Sequence, residues 1–274
     1  MTSGRSVQRT SVRPGRLAAA LFAGVLVLVL AVSGADAMPV YDNLPNKLPA
    51  NTPSEGFEAT STSQFGNIVE LSSSRRGRRN PRVTFTLSDW ACQTGGGETC
   101  VSAKKSSYTW PITVNLYSAG PGNTLGSLLA TQTQTVTIPY RPSASAECAT
   151  KGKPGEWYDK KSAGCFNGLL TKDAYSFSGL TLPNEVAVGI AYNTQSYGGE
   201  PTGVPGPENS LNVGMFAAAP RYGANPRGEE LFVSSNWSQM YCGSSATLNI
   251  FGPSGVCPAY YEDYLPGIEI QAEK

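Results

Sequence analysis

From Phe57 onward the apolar residues of this chain fall at every second position, and that period decides what it can fold into. Val83, Phe85 and Leu87 alternate with Thr84, Thr86 and Ser88, and Ile112, Val114 and Leu116 alternate with Thr113, Asn115 and Tyr117. Val186, Val188 and Ile190 repeat the device, as do Leu211, Val213 and Met215, Leu248 with Ile250, and Ile268 with Ile270. Successive side chains of a strand point to opposite faces, so each run is a strand with one buried face. Turn chemistry separates the runs, with Gly120-Pro121-Gly122-Asn123 after one and Leu182-Pro183-Asn184 before another. Thr131 to Ile138 is a β-branched run with few core residues, which predicts an edge or surface strand. No amphipathic helix competes with these strands beyond the N-terminal segment. The fold class expected is all-β: an antiparallel β-sandwich, jelly-roll-like, with long disulfide-stapled loops.

Six cysteines form three sequence-local pairs: Cys92 with Cys100, Cys148 with Cys165, and Cys242 with Cys257. Short loops close at the lowest entropic cost, which favours nearest-neighbour pairing. On the loop-entropy account each bridge contributes about 2.5–3 kcal/mol. No C-x-x-C spacing occurs, so structural bridges are favoured over a metal or redox site. The stretch 141–172 holds one of these pairs. The stretch 195–210 is rich in glycine and proline and holds none. Loops of this length are either stapled or functional.

The N-terminus assigns the compartment. Arg5, Arg9, Arg13 and Arg16 precede an apolar or small run from Leu17 to Val32, and Ala35-Asp36-Ala37 offers small residues where a signal peptidase reads them. Residues 1–37 are therefore read as a signal peptide, 38–56 as an extended Pro/Asn-rich lead-in, and 57–274 as the β-sandwich domain. The apolar run of sixteen residues is short for a bilayer span, which needs about 20. The expected product is secreted into an oxidising extracellular space, with no membrane attachment after cleavage.

Removing those residues leaves 21 − 4 = 17 basic and 20 − 1 = 19 acidic side chains, which implies no nucleic-acid partner. The chain has no histidine. Ser-His-Asp and Cys-His catalysis and His-ligated zinc are thereby excluded, whereas chemistry by two carboxylates is not. No cofactor or metal is expected, because no D-x-D-x-D-G loop is present.

Several segments together resemble a family of secreted bacterial proteins to which no activity is assigned. They are Val40-Tyr41-Asp42-Asn43-Leu44-Pro45, Pro53 to Ser63 (PSEGFEATSTS) with Phe65-Gly66, Ser88-Asp89-Trp90 with Cys92, Ile138-Pro139-Tyr140-Arg141-Pro142, and Cys165-Phe166-Asn167-Gly168. The resemblance covers most of residues 40–200 and weakens after about 215. It implies an extracellular β-sandwich, fits local cysteine pairing, and transfers no catalytic residue. Some members of that family end in a membrane-anchoring tail, which is not seen here.

Aromatic residues are the first candidates for a site. A flat apolar ring with a polar edge can stack on a sugar while neighbouring amides bond its hydroxyls. Trp157, Tyr158 and Trp237 lie in or near polar loops and are the candidate ligand contacts, while Trp90 and Trp110 flank apolar strands and are assigned to the core. Glu58, Glu70 and the Glu262-Asp263 pair are scattered, and no carboxylate pair stands out. Asp89 and Asp159 carry no ligand signature. Arg75, Arg76, Arg78, Arg79 and Arg82 form a basic cluster between two strands, read as a solvated turn ahead of a contact for an anionic polymer. No G-x-S-x-G elbow is present.

These readings converge on a secreted, non-enzymatic binding or structural protein, with a polysaccharide or cell-wall polymer as the leading partner. The alternatives are a carbohydrate-active enzyme using a carboxylate pair and an extracellular structural protein contacting only proteins. The sequence leaves oligomeric state open.

Overall fold

A computed structural model of the chain describes residues 36–57, 62, 64–121, 125–194, 206–217, 219–226, 230–233, 249–250 and 264–274. Among these residues the strands are β1 (Met38–Asp42), β2 (Ser54–Gly56), β3 (Gln64–Glu70), β4 (Arg79–Asp89), β5 (Ser107–Ala119), β6 (Leu125–Pro139), β7 (Trp157–Asp159), β8 (Gly164–Phe166), β9 (Leu169–Ser176), β10 (Glu185–Ala191), β11 (Leu211–Phe216), β12 (Glu230–Val233), β13 (Asn249–Ile250), β14 (Leu265–Pro266) and β15 (Ile268–Glu273). One short helix, α1 (Ala146–Thr150), is capped by the Ser145 hydroxyl, which accepts the Glu147 N–H at 3.2 Å.

The strands build two antiparallel sheets that pack as a sandwich. The first has seven strands in the order β1-β15-β4-β11-β14, with β2 added on β11 and β9 on β4. The second has six, in the order β13-β12-β3-β10-β5-β6, and β7 and β8 form a separate ribbon. Val83, Phe85 and Leu87 of the first sheet join Ile112, Val114, Leu116, Val186, Val188 and Ile190 of the second in one buried cluster. Each such side chain contributes about 1.5–3 kcal/mol of burial. The Tyr175 hydroxyl crosses between the sheets and donates to the Ile112 carbonyl at 2.8 Å. The run around Thr131–Ile138 lies in β6, at the edge of the second sheet, as its composition predicts.

The segment before Phe57 is extended, as expected, but it belongs to the sandwich rather than leading into it. Met38 pairs with Ala272 and Tyr41 with Ile270, so β1 closes the sheet against the far end of the chain. The Asn43 amide then holds the turn, donating to the Pro266 carbonyl at 3.0 Å and accepting the Ile268 N–H at 2.7 Å. From there residues 44–52 cross the outer face of the first sheet. Leu44 and Leu48 pack on Leu170 and Phe216, and Ala50 accepts the Leu170 N–H at 3.0 Å. The domain boundary expected at residue 57 is thus corrected: one compact unit runs from Ala35 to Lys274. The physical reason is that β4 would otherwise expose Thr86 and Ser88 beside apolar Leu170, and the crossing segment buries that face.

Two of the three expected bridges are formed, Cys92–Cys100 and Cys148–Cys165. The second ties α1 to the β7–β8 ribbon. The third expected bridge is not among them, because Cys242 and Cys257 both lie outside the described residues. The pairing of Cys242 with Cys257 therefore rests on loop length alone. Residues 1–35 of the segment read as a signal peptide and the candidate contact Trp237 lie outside the described residues as well. No helix among the described residues is long and apolar enough to cross a membrane.

Candidate functional site

The residues with the most chemistry to offer meet where β4 ends. Its alternation sends Val83, Phe85 and Leu87 into the sandwich and Thr84, Thr86 and Ser88 to the outer face. Continuing the count puts Asp89 inside and Trp90 outside.

On the outside, Trp90 is 41% exposed and is the one aromatic among the exposed large apolar side chains of the described residues. It stands just beyond the cover supplied by residues 44–52. Its indole N–H donates to Ser88 Oγ at 3.1 Å, and that hydroxyl donates to Asn51 Oδ1 at 2.7 Å. Beneath the ring lies Gly168. A Cβ there would come within 2.6 Å of Trp90 Nε1 and 2.5 Å of Ser88 Oγ, so the ring rests where only a glycine fits.

Gly168 also anchors the second tryptophan. Its carbonyl accepts the Trp157 indole N–H at 2.8 Å. Trp157 is 7% exposed and packs on Phe166 with ring centroids 5.6 Å apart. The reading of Trp157 as a stacking residue is therefore corrected to that of a floor residue: its polar edge is already bonded and its ring is mostly covered. What remains accessible of it lines a cleft of about 390 Å³ between residues 47–50 and the β7–β8 ribbon. Leu48, Pro49 and Ala50 give this cleft an apolar wall, and Lys47, Asp159 and Lys161 give it a charged rim. Asp159 caps its own turn, accepting from the Ser162 hydroxyl at 2.7 Å and the Lys161 N–H at 3.2 Å, and these bonds hold its carboxyl below the ordinary value. Tyr158, between the cleft-lining Trp157 and Asp159 on β7, does not line the cleft; it is half-buried, with the Lys151 ammonium 4.4 Å from its ring centre. Trp110 keeps the packing role expected of it, set against the core with its indole N–H on the Asn193 carbonyl at 2.8 Å.

On the inside, Asp89 is fully buried. Its Oδ1 accepts the Tyr108 hydroxyl at 3.0 Å and the Ala91 N–H at 3.3 Å. Desolvation pushes its carboxyl up to about 7, against the opposing pull of those bonds and of Arg141. Arg141 is also buried, and desolvation lowers its guanidinium from the ordinary value. Tyr108 is driven well above the usual phenol range by burial and by the nearby Asp89 and Glu208 carboxylates. Asp89 and Glu208 are the acids that meet here, yet both are buried, so this cluster is a polar brace within the sandwich and offers no open bond-breaking site.

The basic cluster disperses on folding. Arg78 turns back into its own loop, donating to the carbonyls of Gly77 at 2.7 Å and Arg75 at 3.0 Å. Arg75 stacks on Tyr222, 4.0 Å from the ring centre. Arg82 lies instead on the outer face of the first sheet beside Asp173 and Glu269. Glu70 is exposed at a strand end, and Glu58, Glu262 and Asp263 lie outside the described residues. Among the described residues no group of three acidic, cysteine or histidine side chains is placed to hold a metal.

No family model, curated protein or solved structure matches the chain. Asp89, Trp90, Arg141 and Gly168 lie together at this end of the sandwich, Arg141 through its N–H on the Ala91 carbonyl and Gly168 against Ser88 and Trp90. Besides Trp157, sequence reasoning misplaced Trp90, which it assigned to the core and which is 41% exposed. The signal that finds it is parity: it stands an odd number of residues from Val83, Phe85 and Leu87, and so on the opposite face.

Proposed function

We propose that this chain is an exported, non-enzymatic binding protein whose ligand is a polysaccharide or cell-surface polymer, held on the surface formed by Trp90 and the adjoining cleft. One observation carries the reading: an exposed tryptophan is held by a hydrogen bond over a glycine whose carbonyl bonds Trp157, a ring that lines a cleft with an apolar wall and a charged rim. Such a surface offers a flat face for a sugar ring and polar groups for its hydroxyls, with little ordering left to be done on binding. The basic N-terminal segment with its Ala-x-Ala site and the two bridges support export. The buried state of Asp89 and Glu208 weighs against a carboxylate-pair hydrolase at this end of the molecule.

The test is co-sedimentation of residues 35–274 with insoluble polysaccharides and isolated cell walls, with the supernatant assayed for released sugar. Saturable binding without release, weakened about tenfold by Trp90→Ala, is the expected result. Sugar release would replace the reading with an enzyme. Absence of binding, or binding indifferent to Trp90, would overturn the proposed surface and direct attention to protein partners.

A further inference from the structure

The four lateral edges of the two sheets are treated very differently. In the first sheet one side ends in β1, five residues long with Pro39 and a register shift, and in the three-residue β2, and the other side ends in β9, eight residues that pair only with β4 among the described residues and carry Lys172 and Asp173. In the second sheet, among the described residues, one edge is the two-residue β13. These are ordinary protections, because short, kinked, proline-bearing or charged edges are poor templates for a new strand. The fourth edge is β6, which runs for fifteen residues, LGSLLATQTQTVTIP, without one charged side chain and with proline only at its last position. Among the described residues no strand pairs with its outer side. From Ala130 to Pro139 its pairing with β5 proceeds without a shift, so this half of the edge is regular.

We infer that β6 is the contact by which two copies of this chain pair edge to edge, forming a two-fold dimer with one continuous sheet. The strand's own pattern selects a copy of itself. A two-fold axis perpendicular to the sheet keeps outer faces outward, and directly opposed residues of antiparallel strands share a face. Only residues of the same parity can then oppose each other. Thr131, Thr133, Thr135 and Thr137 are the exposed residues of the regular half, while Gln132, Gln134, Val136 and Ile138 face the sandwich. A register centred on Gln134 sets Thr131 against Thr137 and Thr133 against Thr135, and Gln132 against Val136. Cross-strand threonine pairs are favourable, and this sheet already contains one, Thr113 Oγ1 to Thr133 Oγ1 at 2.7 Å. The lack of charge means that self-pairing meets no like-charge repulsion. Leu128, 52% exposed, stands on the same strand.

The area is enough for a weak dimer. In this register residues 129–139 overlap, and eleven residues at about 3.3 Å each, over a sheet about 10 Å thick, give roughly 360 Å² per copy, near 700 Å² in total. That is the size of a weak, transient contact, so a dissociation constant on the order of 100 μM is expected.

Sedimentation velocity on residues 35–274, from about 1 to 500 μM, tests this directly. The expected result is a reversible monomer–dimer equilibrium. The double variant Thr133→Lys/Thr135→Lys, which sets ammonium groups opposite one another, should raise the dissociation constant more than tenfold and leave the melting temperature at the monomer's value. Thr109→Lys, one strand further in on the same face, should leave the dimer intact. A monomer throughout the range overturns the inference, and so does a dimer indifferent to the two lysines. Loss of the dimer in Thr109→Lys would mean face-to-face stacking and would also overturn it. Should the double variant fail to fold, Thr135→Lys alone applies the same criterion. None of these outcomes depends on polysaccharide binding.

Discussion

Asp89 and Trp90 are consecutive residues at the end of one strand, and the sandwich treats them in opposite ways. Parity sends the carboxylate into the interior, where Tyr108 and the Ala91 N–H hold one oxygen and burial penalises its charge. The same parity sends the indole out, where Ser88 and Gly168 fix it at the surface. The difference teaches that chemical type alone does not locate a site in a β-protein. The perturbed carboxyl here serves the interior, and the most available ring belongs to a residue bracketed by apolar strands.

The largest effect that would sharpen this contrast is the pH dependence of stability. A carboxyl at about 7 in the folded state and at 3.8 when unfolded keeps its proton on folding across that interval. The native state then binds more protons than the unfolded one, so stability falls as pH rises from about 4 to about 7 and is level above it. The full contribution approaches about 4 kcal/mol, at 1.36 kcal/mol per pH unit. Urea titrations at pH 4, 5.5, 7 and 8 should show this slope in the native sequence and a flatter one in Asp89→Asn. Identical slopes in the two proteins would mean that Asp89 is ionised and compensated in the folded state.

The bridge between Cys148 and Cys165 comes next, because it supports the outer region alone. Replacing both residues by alanine removes a loop closure of 17 residues, worth about 3 kcal/mol. For a domain of this size that is a fall in Tm of about 6–12 °C. The ribbon carrying Trp157 should loosen, read as increased amide exchange across 157–166, while the difference in pH slope attributable to Asp89 stays. A change in that difference would show that the inner and outer regions are coupled more tightly than their contacts imply.

Much of this was legible in the residues and some was not, for identifiable reasons. Each alternating run quoted from the sequence and lying in the described residues is a strand, because one-sided burial imposes period two. The edge position of β6 followed from its lack of core residues. The two described bridges followed from loop length. The role of residues 38–56 did not follow, because β1 and β2 are short and find their partners far along the chain, as in the pairing of Met38 with Ala272. Residues 44–52 use prolines and scattered leucines to cover a sheet face, which has no period to detect. Trp157 was misjudged for a related reason: its neighbours in sequence are polar, but its neighbours in space are Phe166 and the Gly168 carbonyl.

Gly168→Ala probes the hinge between the two tryptophans. The added methyl would lie 2.5–2.7 Å from Ser88 Oγ and the Trp90 ring, so the ring must move. Overpacking of this kind costs about 1–3 kcal/mol, and Trp90 fluorescence should shift as the ring leaves its seat. Unchanged emission together with an unchanged melt would show that the seat is looser than its contacts indicate.

The smallest expected effect on stability is the most informative about function. Trp90→Ala removes a ring that is 41% exposed and whose one hydrogen bond runs to a hydroxyl already engaged with Asn51. Little burial is lost, so the cost should stay below about 1 kcal/mol by denaturant titration. Trp157→Ala, which empties a buried site, should instead cost about 3–5 kcal/mol. A ring that contributes so little to folding, yet is seated over a glycine and held by a hydrogen bond, is oriented for something other than the fold. If Trp90→Ala proved as costly as Trp157→Ala, the ring would belong to the packing of the molecule, and the proposed binding surface would lose the observation that carries it.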